Sequence, residues 1–561
     1  MSGTTESIAI GVLLIALFFM HRHASRWLRR AEQTLTRLGR RRELFIAVIG
    51  LLALAGSAAL SLFGGMPYPR VHDEFSYLLA ADTFAHGRVT NPTHPMWVHF
   101  ESIHIVHQPT YASKYPPGQG LILAAGQIIG GHPVVGMWIG TGVAAAAASW
   151  MLFAWLPLWW AAAGSLLMAL HPGILVYWSQ SYMNGTVAMI GGALVFGAMR
   201  RIVRQPRARD AVLLGLGLVV LANSRPYEGL LASLPVAVAL FAWMFSKNGP
   251  SLDVSINRIV LPTVAVVMLG GVMMGYYNLR VTGDALRMPY LVHEATYTIA
   301  PFFLWQRPQL EPTYRHEIIR SHHVAALEQY QAQQSWGGQI RAAEDKLRGL
   351  RRFYMGSHGL RVVMLIPLLL LPWVCRERWP RWALLTCGLV LTGLSVETWV
   401  MAHYAAPITA LVCVILLQAM RHLHVWHWRC VPAGRFLVWA IGVVAVASSM
   451  VIVTQHMRIE RPHWGTERAA VIAQLKKDTL RHLVIVRYGA QYSIEHKWAY
   501  WEWVYNDADI DGAQVVWARE MSRDQNRDLL EYFSDRKVWL LELDHHDSLP
   551  KLTPYPAVGD A

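Results

Sequence analysis

An all-α polytopic membrane bundle of about twelve spanning helices, followed by a small α/β domain, is the fold class that this sequence predicts. Three observations predict it. The 561 residues are 54% hydrophobic and only 15% charged, with a mean hydropathy of +0.28, outside the ordinary soluble range. The apolar residues gather into runs long enough to cross a hydrocarbon layer, such as Leu44 to Gly65, Ile259 to Tyr277 and Phe436 to Gln455. The basic residues fall between those runs.

Ser7 to Met20 is a short apolar run preceded by Glu6 and followed by a basic cluster, the reverse of a signal peptide's charge order, and reads as a helix with its N-terminus outside. Residues 1–43 thus form an N-terminal helix and a basic cytoplasmic segment. Residues 44–455 hold the membrane domain, with spans near 44–65, 133–153, 156–172, 183–199, 211–223, 228–245, 259–277, 360–375, 382–398, 403–420 and 436–455. Net charge is +14, and its placement excludes nucleic acid as the reason for it. The clusters at Arg22 to Arg42, Arg200 to Arg209, Arg376 to Arg381 and Arg421 to Arg435 all land on one side when the spans alternate, which makes them cytoplasmic. The same alternation puts residues 66–132 (the first loop), 278–359 (the second large loop) and everything after Gln455 on the periplasmic side of a bacterial inner membrane. The four cysteines read as small buried apolar side chains in or near spans.

Residues 456–561 change character. Strand-length apolar runs at Leu483 to Tyr488, Val515 to Ala518 and Val538 to Leu543, with a helical stretch at Asn526 to Phe533, predict a periplasmic α/β domain. It lacks a glycine-rich nucleotide loop, so it reads as a cap or acceptor platform. Asn506 to Gly512 imitates the start of a calcium loop, but Ala518 stands where a bidentate Glu should close the shell, so a polar turn is expected.

His72-Asp73-Glu74-Phe75 follows the first long span by a few residues, where a polar group stays wet yet lies beside lipid head groups. Two adjacent acids can keep one carboxylate ionised, which suits base catalysis, although a helix-capping acid fits the spacing equally. The surrounding sequence adds Ala81-Asp82-Thr83-Phe84, Gly87-Arg88-Val89-Thr90-Asn91-Pro92 and Lys114-Tyr115-Pro116-Pro117-Gly118. This ordered set resembles the first loop of the GT-C glycosyltransferases. It is most similar to the bacterial group of protein O-mannosyltransferases and aminoarabinose transferases (glycosyltransferase family 39-like), which take sugars from polyprenyl phosphate. The resemblance is strongest over residues 44 to 230.

That resemblance implies that Asp73 is the catalytic carboxylate of the loop with Glu74 as its companion, the two roles being open to exchange, that Lys114 contacts the donor phosphate, and that Glu101 matches a second acidic residue of the loop. It implies an inverting transfer from a polyprenyl-phosphate-linked donor, in membrane lipid, to a hydroxyl of a glycan, lipid or protein acceptor. From the residues alone, Arg225, Arg88 and Lys114 are outward cations able to hold a phosphate. Arg225 and Glu228 at one outer junction could equally form a structural ion pair, and His403 flanks another outer turn. No cofactor is required. A divalent ion held by His104, His107 and Glu101 is the alternative their spacing allows; Glu101 as a substrate-orienting carboxylate is the reading adopted. The second loop, which carries Tyr290, His293 and Glu294 and continues into amphipathic sequence from Tyr314 to Arg352, is expected to roof the cavity. The rival class is a secondary transporter, which composition alone would fit, but no paired halves are evident and the acids cluster at one face. A lipid-binding or assembly protein that kept the scaffold without activity is the other.

Overall fold

The computed structural model describes residues 21–356, 358–428, 431–458, 464–489, 492, 502–543 and 550–556. Cys430 and the run Ser7 to Met20 lie outside them. Among the described residues eight helices are long and apolar enough to cross a membrane: Arg42–Gly64, Val134–Trp155, Leu158–Trp178, Gly185–Arg204, Pro226–Met244, Leu252–Thr282, Ala402–His424 and Ala433–Met457. The chain is a multi-pass membrane protein. The other three expected spans that fall on described residues are helical but fall short of that standard. Ala208–Ala222 has only 15 residues, and Arg378–Ser395 opens on two arginines. The run expected at 360–375 breaks into three short helices, two of which contain Pro367 and Pro372, because a proline removes an N–H donor and clashes with the preceding turn.

In chain order, an amphipathic helix α1 (His21–Arg40) precedes the first span α2 (Arg42–Gly64). The first loop then folds as helix α3 (His72–Ala85) and a three-stranded antiparallel sheet of β1 (Asn91–Pro92), β3 (Thr110–Ser113) and β2 (Ile105–Val106), in that spatial order. An apolar helix α4 (Gly118–Gly130), absent from the sequence expectation, leads into α5 (Val134–Trp155). Gly126 and Gly136 let these two helices touch: a Cβ on Gly126 would lie 1.9 Å from the Gly136 nitrogen. Small residues at helix contacts replace the hydrophobic effect as the packing device, since lipid is as apolar as the side chains.

Helix α6 (Gly185–Arg204) lies at the centre of the bundle. Its apolar window is 83% buried, against 11% for the span Leu252–Thr282, which therefore faces lipid along most of its length. A Cβ on Gly192 would lie 1.8 Å from the carbonyl oxygen of Pro407, so only glycine admits the 3-10 turn Ala402–Ile408 against α6. That turn and the π turn Gly173–Trp178 both interrupt regular helix at the same end of the bundle, and such irregular turns frequently occur at functional sites.

The second loop forms α7 (Pro289–Tyr297), α8 (Glu317–Ala332) and α9 (Trp336–Met355). The amphipathic pattern expected there folds inward: α8 buries Ile318, Ile319, His322, His323 and Tyr330. The final domain is a four-stranded sheet ordered β5 (Val515–Arg519), β4 (His482–Tyr488), β6 (Lys537–Leu543), β7 (Lys551–Pro554), parallel except for β7. It is flanked by α10 (Trp464–Leu475) and α11 (Arg523–Tyr532), matching the three predicted strands and helix. The Asn506 to Gly512 segment is a polar turn: Asp509 accepts from the Gly512 amide at 3.0 Å, and Asn506 exchanges hydrogen bonds with the Trp517 backbone.

Candidate functional site

α3 starts immediately after Val71, so Asp73 and Glu74 occupy its first turn, where carboxylates suit the exposed N–H groups and the helix dipole. Their fates differ. Glu74 turns back and down: Oε2 accepts from the amides of Arg70 (2.6 Å) and Val71 (3.2 Å), while Oε1 accepts from Ser181 Oγ (2.8 Å) and the Tyr182 amide (2.9 Å). Burial nevertheless raises its carboxyl above the usual range, against those four bonds. Glu74 is spent on closing the helix N-terminus and tying it to the 179–184 turn.

Asp73 keeps a 23% exposed side chain. Oδ1 accepts from the Tyr115 hydroxyl, Oδ2 lies 3.0 Å from His72 Nδ1, and His104 Nε2 is 3.7 Å from Oδ1. Burial pushes this carboxyl up, but the charge and hydrogen bond of His72, the Tyr115 hydroxyl and the charge of Lys114 outweigh it and hold Asp73 well below the ordinary carboxylate range. The ring of Tyr115 stacks on Tyr77 at 4.6 Å, which fixes the donor hydroxyl.

Lys114 is buried, with Nζ 3.8 Å from Glu294 Oε1 and 5.3 and 5.0 Å from the centroids of Tyr115 and Tyr290. Burial lowers its ammonium, opposed by Glu294 and Asp73. Glu294 and Tyr290 come from α7, so the second loop packs against the first at this point. Arg225 stands at the start of helix Pro226–Met244, donating from Nε to Asn184 Oδ1 (3.1 Å) and from Nη1 to Glu228 Oε1 (3.2 Å), with its guanidinium 4.0 Å over the Tyr404 ring. Tyr77 lies within electrostatic reach of Asp73, Arg225, Tyr404 and Glu228, and His403 within reach of Arg225 and Asp73. These groups line one end of the bundle.

Other expected members sit elsewhere. Arg88 follows the C-terminal end of α3, about 20 Å from Asp73 along a helix rising 1.5 Å per residue, where its amide bonds the Thr83 carbonyl. Glu101 accepts from the Tyr297 hydroxyl (2.8 Å) and Arg315 (3.3 Å), with His316 3.5 Å away. His107 Nε2 accepts from the Ser102 amide at 3.2 Å. Neither joins His104 in a metal cluster; the backbone between them turns the side chains to different neighbours. His104 instead meets His72 and His322, the one group of potential metal ligands among the described residues. His322 carries no motif that would have singled it out. It is separated by over two hundred residues from its partners, and only the fold of the second loop brings it in.

The C-terminal domain buttresses this loop directly. Phe75 stacks on Tyr505 at 4.2 Å, Tyr111 donates to the Asn506 carbonyl (2.9 Å), the Ala508 amide donates to Asp82 (2.8 Å), and Arg519 Nε donates to the Glu101 carbonyl (2.7 Å). Arg519 is itself held by Glu502 at 2.6 Å, both fully buried.

No family model and no curated protein matches the chain. Solved structures do. It aligns over 88% of its length with 67% of an oligosaccharyltransferase from Archaeoglobus fulgidus, in complex with zinc and sulfate, at 11% identity and a TM-score of 0.49. It aligns over 89% of its length with 92% of ArnT from Cupriavidus metallidurans, bound to undecaprenyl phosphate, at 12% identity and a TM-score of 0.46.

Proposed function

We propose that the chain is an inverting glycosyltransferase that moves a sugar from a polyprenyl-phosphate donor to an acceptor hydroxyl. The observation that carries this reading is Asp73: an ionised, partly open carboxylate in the first turn of α3, oriented by Tyr115 and His72, with Lys114 near enough to act on its charge. The ordered first-loop motifs support the same chemistry. Asp73 takes the acceptor hydroxyl proton as the acceptor oxygen bonds to the anomeric carbon; the anomeric carbon–phosphate oxygen bond breaks, and the lipid phosphate leaves with the electron pair. A phosphate needs no proton to leave, so Lys114 and Arg225 stabilise its charge. One displacement inverts the anomeric centre.

A cavity of about 910 Å³ supports a lipid-linked donor. Pro172, Val176, Val444, Val451 and Ile452 give it apolar walls, and Arg352 and Arg361 add cationic groups. Asp73, Lys114 and Arg225 do not line it, but Tyr177 on its wall lies within electrostatic reach of Asp73, Glu74 and Arg225. The distribution of basic loops supports placing this face, and the C-terminal domain, on the periplasmic side of a bacterial inner membrane.

The test incubates purified protein with radiolabelled polyprenyl-phosphate sugars and a membrane extract, comparing the native chain with Asp73→Asn. Transfer by the native chain and its loss in the variant are expected. Equal transfer by both would remove Asp73 from catalysis, and solute uptake into liposomes without transfer would favour a transporter.

A further inference from the structure

Three imidazoles from distant parts of the chain converge beside Asp73. His72 opens α3, His104 lies in the loop before β2, and His322 sits in α8. All three are buried, and each offers a ring nitrogen within 4.8 Å of the other two. His72 packs 4.4 Å from His104 and 4.8 Å from His322, both at 84°, and His104 lies 5.7 Å from His322 at 81°. The rings meet edge to face and do not stack. The cluster shares only His104 with the His104, His107, Glu101 set that local spacing suggested.

Three features single the trio out from an ordinary buried histidine group. His104 holds a left-handed backbone, φ 64°, a conformation uncommon for residues with a β-carbon and the one such case among the described residues. Its Nδ1 is buried without a hydrogen-bond partner, a cost that a bond to a ligand would relieve. A buried dication also needs nearby negative charge, which Asp73 supplies at 3.0 Å from His72 Nδ1 and 3.7 Å from His104 Nε2, while the charge of neighbouring Lys114 is offset by Glu294. We propose that His72, His104 and His322 bind one divalent transition-metal ion of the zinc class. Neutral imidazoles, with no thiolate and only one adjoining carboxylate, favour such an ion over magnesium or calcium, which prefer oxygen shells. Imidazole nitrogens around a tetrahedral zinc stand about 3.3 Å apart for bonds of about 2.0–2.1 Å, so the rings close by roughly an ångström on binding. A three-histidine site leaves a fourth position, and Asp73 borders it.

This inference stands on the trio's own geometry and holds whether or not the chain transfers sugar, so its test reads metal binding directly. Purified full-length protein in detergent is stripped with a chelator and titrated with cobalt(II), followed by visible absorption and elemental analysis. One cobalt per chain is expected, with the intense absorption of a four- or five-coordinate ion, displaced by zinc. His322→Gln should weaken binding by more than about 100-fold, since even outer-shell changes around a metal cost 10–100-fold; His107→Gln should leave it unchanged. X-ray absorption on the zinc-loaded native protein needs no variant and should show three imidazoles. Folded native protein that takes up no cobalt or zinc, a zinc spectrum with fewer than three imidazoles, or His322→Gln binding as tightly as the native chain would overturn the assignment.

Discussion

Two acids of the same loop, Asp73 and Glu101, are given nearly the same kinds of neighbour but differ in exposure. Each accepts from a tyrosine hydroxyl, lies against histidine and has a cation near it. Glu101 is 2% exposed and its charge is answered by Tyr297, Arg315 and His316, while its own carbonyl receives Arg519 from the C-terminal domain. Asp73 is 23% exposed, and its cation, Lys114, is shared with Glu294. A carboxylate with every neighbour committed and no open side is a fastener. One that is ionised, oriented and partly open can take a proton.

The largest effect expected from this contrast is on transfer. Asp73→Asn keeps the shape and the hydrogen bond from Tyr115 but removes the base, so transfer should fall about 10²–10⁴-fold with the melting temperature nearly unchanged, measured by radiolabel assay and thermal unfolding in detergent. A variant that loses both activity and fold would erase the distinction between the two acids.

Next comes the fastening side. Arg519→Met leaves Glu502 buried without its partner and should cost about 3–5 kcal/mol of stability, seen as a large drop in melting temperature. Glu101→Gln keeps the volume but weakens its charged contacts, and should cost about 1–3 kcal/mol while the KM for donor stays unchanged in the fraction that remains folded. A selective rise in KM would return Glu101 to the substrate-orienting role that the first-loop resemblance implied.

The smallest effect is a pH signature at the opposite end of the bundle. Glu32 on α1 binds Arg435 at 2.5 and 2.9 Å, His424 at 3.1 Å and Trp439 at 3.2 Å. Burial raises its carboxyl, but the hydrogen bonds from His424, Arg435 and Trp439 together with the Arg435 charge bring it down from 4.5 to about 2. A depressed carboxylate lends stability that is complete above its unfolded pKa and is lost as pH falls through the folded one. The melting-temperature gap between native protein and Glu32→Gln should therefore be steady near neutrality and narrow from about pH 4.5 toward about pH 2. A gap independent of pH would mean that Glu32 acts through packing alone.

Much of this protein was legible in the chain because membrane solvation writes itself locally. An apolar run of sufficient length has to satisfy its backbone as a helix wherever it sits, so the long spans and the break into a terminal α/β domain follow from composition, and local charge placed Asp73 just beyond the first span. The same local logic failed where prolines or charges shortened a run, at 360–375 and 382–398, and it missed α4, whose 13 residues are too few to register as a span. The site's membership depended on contacts between segments far apart in sequence. Adjacent letters cannot tell that Glu74 bends back to Arg70, Val71, Ser181 and Tyr182 while Asp73 stays open, or that Arg88 ends a helix length away. Nor can they show that Glu294 and His322 arrive from the second loop to complete the surroundings of Lys114 and His104. The sequence by itself determined the solvent, the long spans and the acidic pair. Only the tertiary structure decided which acid is closed and which is open, because burial and hydrogen-bond partners are set by packing across the whole chain.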